Sequence, residues 1–474
     1  MISFKKEENL SDWYLEVLTK ADIFDYGPVK GTIIFKPYGY ALWENIQKIL
    51  DSLIKKEIGA LNSYFPLFIP ESYLKKEKEH LEGFSPEVAV VTYAGGEELQ
   101  EKLIVRPTSE TIMYAAFSKW IKSYRDLPLI VNQWCNVVRW EKRPFPFLRN
   151  TEFLWQEGHG VHATHEDSLE TVFKALTVYL KVYQEYLGIF GFGGQKSESE
   201  KFAGALKTFT YEILMPDGKA LQGCTSHDLG QNFSLPFEIR FQDKDMNLKY
   251  VWQNSWGFST RSLGAIFMVH GDENGLILPP TIAPYQFVII PIYDGRVDRE
   301  IDDWAKKIMA SLKEKNFSVF YDTSEETPGF KFNFWELKGA PFRIEIGKKE
   351  LENKKLTLFR RDNKEKETLT LENLIDNYPR LEKNFIQNLF QRSKEFTLKN
   401  ISEPSSYSEF KEIMETKRGF LRVFWCENEK CEAKIKEETK ATTRCLPLEE
   451  KEEKGKCIYC GKEAKRRWLF AQAY

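Results

Sequence analysis

The stretch 131–165 constrains the fold of this 474-residue chain more than any other. Two runs of strand character, 132–141 and 151–158, flank a basic link, 142–150, that carries Arg143, Pro144, Pro146 and Arg149. Proline cannot donate to a ladder, so the link reads as a loop and the whole as a strand–loop–strand hairpin. Side chains alternate across a strand with period 2. Arg139 and Glu141 are therefore predicted to share one face of the first strand, and Phe153, Trp155, Glu157 and His159 one face of the second. Such a face is too polar for a core and too aromatic for a solvated surface. A ligand-binding floor accounts for both properties; a buried polar network is the alternative. His159, His162 and His165 lie close in sequence and invite a metal, but on a strand His162 points away from the other two. A helix starting near Thr164 leaves His159 out of reach, so a facial triad is not expected.

The chain is long enough for two to four domains. Lys+Arg 68 against Asp+Glu 70 gives a formal charge of -2, so any polyanion must meet a local basic patch. No uncharged apolar run is long enough to span a bilayer, and the N-terminal residues do not resemble a signal peptide; a cytoplasmic, non-membrane protein is expected. There is no G-x-x-x-x-G-K-[ST] loop and no G-x-G-x-x-G fingerprint.

Texture divides the chain into 1–283, 284–398 and 399–474. The first part mixes aromatic strand-period segments with helical spacing at 40–57 and 166–187, where Thr164 and Asp167 suit a capping box. Pro279, Pro280 and Pro284 mark its end. A strand at 286–292, an amphipathic helix at 298–315, a strand at 317–321 and a pair near 342–346 and 355–361 then suggest an α/β domain. The last part is charged and cysteine-bearing. The charge runs at 75–78 and 449–456 read as solvated. Cys426 and Cys431 form C-x4-C, and Cys457 and Cys460 form C-x2-C. Two such thiol pairs point to a closed structural zinc site; a metal-free knuckle is the main alternative, with disulfides a weaker one. Cys445 lies between the pairs.

Several motifs in order carry a family resemblance. Arg139-Trp140-Glu141, Phe147-Leu148-Arg149 and the run Glu152 to His159 resemble the second signature motif of class II aminoacyl-tRNA synthetases in its prolyl-specific form. Lys36-Pro37-Tyr38-Gly39 resembles the first motif, at the family's dimer interface. Arg106-Pro107-Thr108-Ser109-Glu110 resembles the amino-acid-sensing loop, and Leu221 to His227 the pocket wall. Trp256 to Gly264, with Arg261, resembles the third motif. Pro328 to Lys331 and Trp335 to Gly339 resemble the anticodon-binding domain.

The resemblance covers essentially the whole chain. It implies an α+β catalytic domain on an antiparallel sheet, an α/β anticodon-binding domain and a small α/β C-terminal domain with a zinc knuckle. The implied activity is ATP-dependent activation of L-proline, with Mg²⁺, followed by transfer to tRNA(Pro), by a homodimer. Arg139 would bridge the carboxylate and α-phosphate, and Arg261 would hold the γ-phosphate side. Phe153 would stack on adenine beside Glu141, Gln222, Thr225 and Thr260. Thr108 and Glu110 would take the secondary ammonium. Trp155, Glu157, His159, Phe202, Thr225, Ser226 and His227 would surround the substrate. For each arginine taken alone, a structural ion pair is the alternative.

Cys224 stands where the family usually has a smaller residue, and packing as a small hydrophobe is its plainer reading. Only about 90 residues separate His165 from Trp256, too few for the editing domain of bacterial-type relatives, so the archaeal/eukaryotic-like type is implied. Residues 348–366 hold eight Lys/Arg against four Asp/Glu, a net of +4. With Lys331, Glu336, Lys338 and Arg343 they are candidates for tRNA contact, a solvated basic face being the alternative. Two rivals remain open here: a tRNA-binding protein without catalysis, and a class II synthetase for another amino acid.

Overall fold

The computed structural model describes residues 2–74, 87–295 and 297–474; the charge run at 75–78 lies outside the described residues. An eleven-stranded sheet forms the spine of the molecule. From Phe192–Gln195 it runs through Lys207–Leu214, Ala220–Gly230, Trp252–Ser259 and Glu152–His162 to Leu129–Val138, and each of these neighbours is antiparallel to the next. The sheet is the antiparallel one that the resemblance implies.

One face of this sheet is sealed by the helix His165–Lys181, continued by a π turn at Val182–Tyr186. Thr164 caps it by accepting the Asp167 N–H at 3.2 Å. Its buried residues Val172, Ala175, Leu176 and Tyr179 recur at helical spacing, and Tyr179 packs against Trp256 and Phe258 of the sheet. Gly158 is required by this packing, because a Cβ there would lie 2.2 Å from the Trp256 indole. On the opposite face the hairpin side chains project into a cavity.

The hairpin forms, but its strands are shifted from those predicted. They run Leu129–Val138 and Glu152–His162. Arg139 still donates its N–H to Thr151 at 2.8 Å, but Trp140 donates to Glu87 instead, at 2.8 Å. That distant partner pulls the chain off the ladder before Glu141. The second strand extends further than expected because Gly160, Val161 and His162 keep pairing with Asn254, Gln253 and Trp252.

Residues 287–369 build a five-stranded mixed sheet: Phe287–Pro291 lies parallel to Val319–Tyr321 and Phe342–Ile346, and Leu356–Arg360 and Lys366–Leu369 follow antiparallel. The helix Arg299–Glu314 covers it with Ile301, Ala305, Ile308 and Leu312, all buried. Removing a side chain such as Ile308 from this row costs about 2–5 kcal/mol. Arg361 ties this unit to the first through a bidentate pair with Asp272, at 2.5 and 2.8 Å.

The long helix Leu371–Lys399 leads to the C-terminal part. There Phe420–Phe424, Arg467–Gln472 and Ala441–Pro447 extend the catalytic sheet itself, through pairing of Leu446 with Gln195 and Pro447 with Gly194. A change of composition at 399 thus coincides with a continuous sheet. Beneath the junction, Glu212 of the catalytic sheet is fully buried between Lys196 at 2.8 Å and Arg444 at 2.7 Å. Removing Glu212 would leave two buried cations without a counter-charge.

Candidate active site

The open face of the sheet and the loops around it enclose a cavity of about 520 Å³. Phe153, Trp155, Glu157 and His159 line it from one strand of the hairpin, as period 2 requires, and Arg139 from the end of the other. Pro107, Thr108 and Glu110 close one side, and Gln222, Cys224, Thr225 and His227 another. Phe202 and Arg261 complete the wall.

The electrostatics follow from a few contacts. Arg139 is fixed by donating Nε–H to the Pro107 carbonyl at 2.9 Å, with its guanidinium 5.5 Å from the Phe153 ring and 5.4 Å from the Trp155 ring. Arg261 opens the helix Arg261–His270 and donates to the carbonyls of Leu148 (3.1 Å) and Gln222 (3.4 Å). Burial and the nearby charge of Arg139 lower its pKa to about 10, so it stays a cation at neutral pH. Glu110 is the first residue of the helix Glu110–Trp120, where the helix dipole favours a carboxylate. The Thr108 hydroxyl donates to one of its oxygens.

Glu157 is differently occupied. One oxygen accepts from the Ser109 hydroxyl at 2.5 Å and Gln133 at 2.9 Å; the other meets the Ser109 N–H at 3.2 Å and His159 Nε2 at 3.1 Å. Burial raises its pKa, but these bonds outweigh it and hold the carboxylate below its usual range. Burial conversely opposes charge on His159, and the contact with Glu157 overrides it, raising the imidazole's pKa. His227 goes the other way: burial first, then His159 and Arg139, push it down to about 3. Phe202 N–H donates to Thr208 Oγ1 at 2.9 Å, and that hydroxyl lies 2.9 Å from His227 Nδ1.

Not every predicted residue reaches the cavity. Glu141 accepts the Arg143 N–H at 3.0 Å and approaches Arg149 at 3.8 Å, outside the lining. Ser226 points to the other face and donates to the Val172 carbonyl at 2.8 Å. Thr260 uses its N–H on Leu154 at 3.0 Å and also stays outside the lining. The three histidines 159, 162 and 165 enter separate surroundings: His165 pairs with Asp228 at 2.9 Å and stacks on Trp252, while His162 is buried with its pKa lowered to about 4. Ser255 and Thr208 line the cavity and were not singled out from sequence. Neither belongs to a motif of recognisable spacing. The Ser255 hydroxyl is buried with no partner among the described residues, so it has bonding capacity to offer.

The anticodon candidates are mostly engaged within the chain. Lys331 is buried and donates to the Asp322 carbonyl at 3.1 Å, and Lys338 pairs with Asp22 at 2.8 Å. Arg343 lies between the Phe332 and Phe359 rings, at 4.1 and 4.0 Å, and bonds Glu336 and Glu345, each at 2.9 Å. Glu336 is spent on that contact and on Asn274. Of the basic run, Arg361 is buried on Asp272, while Lys348, Lys349, Lys354, Lys355, Lys364 and Lys366 are exposed. A solvated basic face therefore describes those lysines and not the four named candidates.

In the C-terminal part, the sulfurs of Cys426, Cys431, Cys457 and Cys460 lie within 4.8 Å of one another. Cys426 Sγ is 3.7 Å from both Cys431 Sγ and Cys460 Sγ, and all four thiols are free. A tetrahedral cation about 2.3 Å from each sulfur sets S–S edges of about 3.8 Å. The four residues fit a zinc ion.

Comparison with known proteins agrees with this architecture. Residues 92–270 match the model of the class II tRNA synthetase core domain (G, H, P, S and T), 286–380 that of the anticodon-binding domain, and 407–474 that of the prolyl-tRNA synthetase C-terminal domain. Proline--tRNA ligase 2 of Clostridioides difficile (strain 630) is 50% identical over 473 residues, covering 99% of this chain and 97% of the relative. The chain belongs to the prolyl-tRNA synthetases.

A prolyl-tRNA synthetase of Cryptosporidium parvum, solved with halofuginone and AMPPNP, superimposes with a TM-score of 0.95 at 39% identity, covering 100% of this chain and 99% of that one. The same enzyme solved with L-proline and AMP gives 0.93 at 38%, covering 100% and 97%. This synthetase is a proline--tRNA ligase that joins proline to tRNA at the expense of ATP. Its interval between His165 and Trp256 is filled by the sealing helix, three strands of the central sheet and the small hairpin of Arg240–Gln242 with Leu248–Tyr250, with no editing insertion.

Proposed function

We propose a division of labour in which the cavity binds proline at the Glu110 end and ATP at the Arg261 end, with Arg139 between them. One observation carries this reading: two guanidinium groups share the cavity with a carboxylate, Glu110, that has one oxygen uncommitted to Thr108. Proline brings an ammonium and a carboxylate, and ATP brings a polyphosphate. Activation requires the proline carboxylate to attack the α-phosphate, so two anions must approach. Arg139 neutralises both as they meet, and its anchorage on Pro107 means little reorganisation at the moment of reaction. Arg261 holds the γ-phosphate side, Phe153 stacks on adenine, and Gln222 and Thr225 border the nucleotide. Mg²⁺ bound to ATP would add charge neutralisation on the polyphosphate.

Glu110 and Thr108 receive the secondary ammonium. Trp155, Phe202 and His159 wall the pyrrolidine ring, with His227 beside them. Glu157 orients His159, since its own oxygens are already filled. Glu141, Thr260 and the Ser226 side chain act only by supporting the backbone around them. Arg139→Lys keeps the charge and loses the planar fork. Proline-dependent ATP–pyrophosphate exchange should fall about 100-fold or more with the fold intact; exchange at the unaltered rate would remove this role.

The four cysteines hold a structural zinc ion in this reading, and metal analysis of the purified protein should return one equivalent. A homodimer is supported by exposed apolar side chains around the first motif and the sheet edge: Tyr26, Ile34, Tyr40, Leu61 and Tyr64. Exposed lysines of 348–366 give phosphate contacts to tRNA(Pro). Among the described residues no helix is long and apolar enough to cross a membrane, and the reading is of a cytoplasmic enzyme.

A further inference from the structure

The segment 197–203 forms part of the cavity wall through Glu200, Lys201, Phe202 and Ala203. It follows a catalytic strand, yet what holds its start comes from the other end of the chain. Glu432, on the helix Glu429–Thr439, is only 3% exposed. One of its oxygens accepts from Ser197 at 2.9 Å and from Thr443, and the other from Ser199 at 2.5 Å. Lys436, one turn further along the helix, reaches Glu200 at 3.3 Å. The preceding residue, Lys196, bonds Glu212 of the catalytic sheet at 2.8 Å, and Arg444 of the C-terminal unit holds the other oxygen of that carboxylate at 2.7 Å.

A buried carboxylate is an expensive way to dock two surfaces, since apolar contacts of similar size do the same at less desolvation cost. What it adds is direction: three hydroxyls converge on two fixed oxygens. The segment passes that geometry on. Its Phe202 N–H bonds Thr208, the Thr208 hydroxyl bonds His227, and the Phe202 ring lies 4.7 Å from the His227 ring. Glu432 is also the immediate neighbour of Cys431, whose sulfur is held in the four-thiol cluster.

We propose that Glu432 is a positioning residue for the amino-acid pocket: by holding Ser197 and Ser199 it fixes Phe202 and His227, so the cysteine-bearing unit sets the enzyme's affinity for proline. The proposal rests on the assignment of this end of the cavity to proline. It takes no part in the chemical step, so its signature is a split between KM and kcat.

The test uses the full-length enzyme as Glu432→Ala, Glu432→Gln and the double variant Ser197→Ala/Ser199→Ala, which removes the donors without touching the C-terminal unit. In ATP–pyrophosphate exchange the KM for proline should rise about tenfold in Glu432→Ala and in the double variant, with kcat and the KM for ATP within about threefold of the parent. Glu432→Gln keeps an acceptor oxygen and should recover part of the loss. Amide hydrogen exchange over 197–203 should accelerate in step, with metal content unchanged. Unaltered proline KM together with unaltered exchange protection in the double variant would overturn the proposal. A rise confined to the KM for ATP would instead overturn the assignment of this end of the cavity to proline.

Discussion

Replacing Glu110 by glutamine probes the proline site with the least disturbance. The amide is isosteric, and its oxygen can still accept from the Thr108 hydroxyl, so the helix start and the local packing survive. What disappears is the negative charge, in a side chain only 4% exposed. At that depth water screens little, and the loss is that of one charge-assisted hydrogen bond to the secondary ammonium, about 1.5–3 kcal/mol. Converted at 1.36 kcal/mol per decade, kcat/KM for proline should fall about 10- to 150-fold. The ATP side of the cavity is remote from this change, so nucleotide affinity should hold. The assay is proline-dependent ATP–pyrophosphate exchange, with direct calorimetric titration of proline as a second readout. A variant that binds proline as the parent does would refute the ammonium role, and equal loss of ATP affinity would show that the site had collapsed.

Acid should destabilise the fold through its buried imidazoles. Burial lowers His162 to about 4 and His227 and His270 to about 3, against 6.5 when unfolded. Their contribution is complete above pH 6.5 and is lost as pH falls toward those values, on the order of 5 kcal/mol between pH 7 and 5, partly offset by His159, whose pKa is raised. A melting temperature that stays flat or rises on that descent would contradict the assignment. Alanine fits a proline pocket, and lost methylenes discriminate only about 10–200-fold each. Ala-tRNA(Pro) should therefore survive incubation with the purified enzyme, and rapid deacylation would reveal an editing site. The terminal Tyr474 donates its N–H to Ala220 at 3.1 Å, beside the strand that carries Gln222 and Thr225. A C-terminal tag should lower kcat where an N-terminal tag does not; a fully active C-terminally tagged enzyme would exclude this.

The hairpin was legible because period 2 sorts residues before any contact is known, and Phe153, Trp155, Glu157 and His159 do share the cavity face. Glu141 was misplaced because the ladder ends on a bond from Trp140 to Glu87, a partner that no local pattern announces. The cysteine cluster was equally readable, since ligand spacing is a local property. Residue type also pointed to Lys331, Lys338 and Arg343, but their partners Asp322, Asp22 and Glu336 lie in other elements, and only the fold reveals that the charges are spent. The same holds for the C-terminal unit. Its change in composition suggested separation, whereas pairing between Leu446 and Gln195 is non-local and makes it part of the catalytic sheet. Thr208 and Ser255 carry no motif at all, and their place in the wall comes from strand register alone.

The central claim is that this cavity activates proline. ATP–pyrophosphate exchange by the purified full-length protein, run in parallel with proline, alanine, cysteine and threonine, tests it most directly. Exchange should depend on proline, with alanine and cysteine weaker and threonine without effect. Exchange with none of the four, or preferred by threonine over proline, would contradict the account.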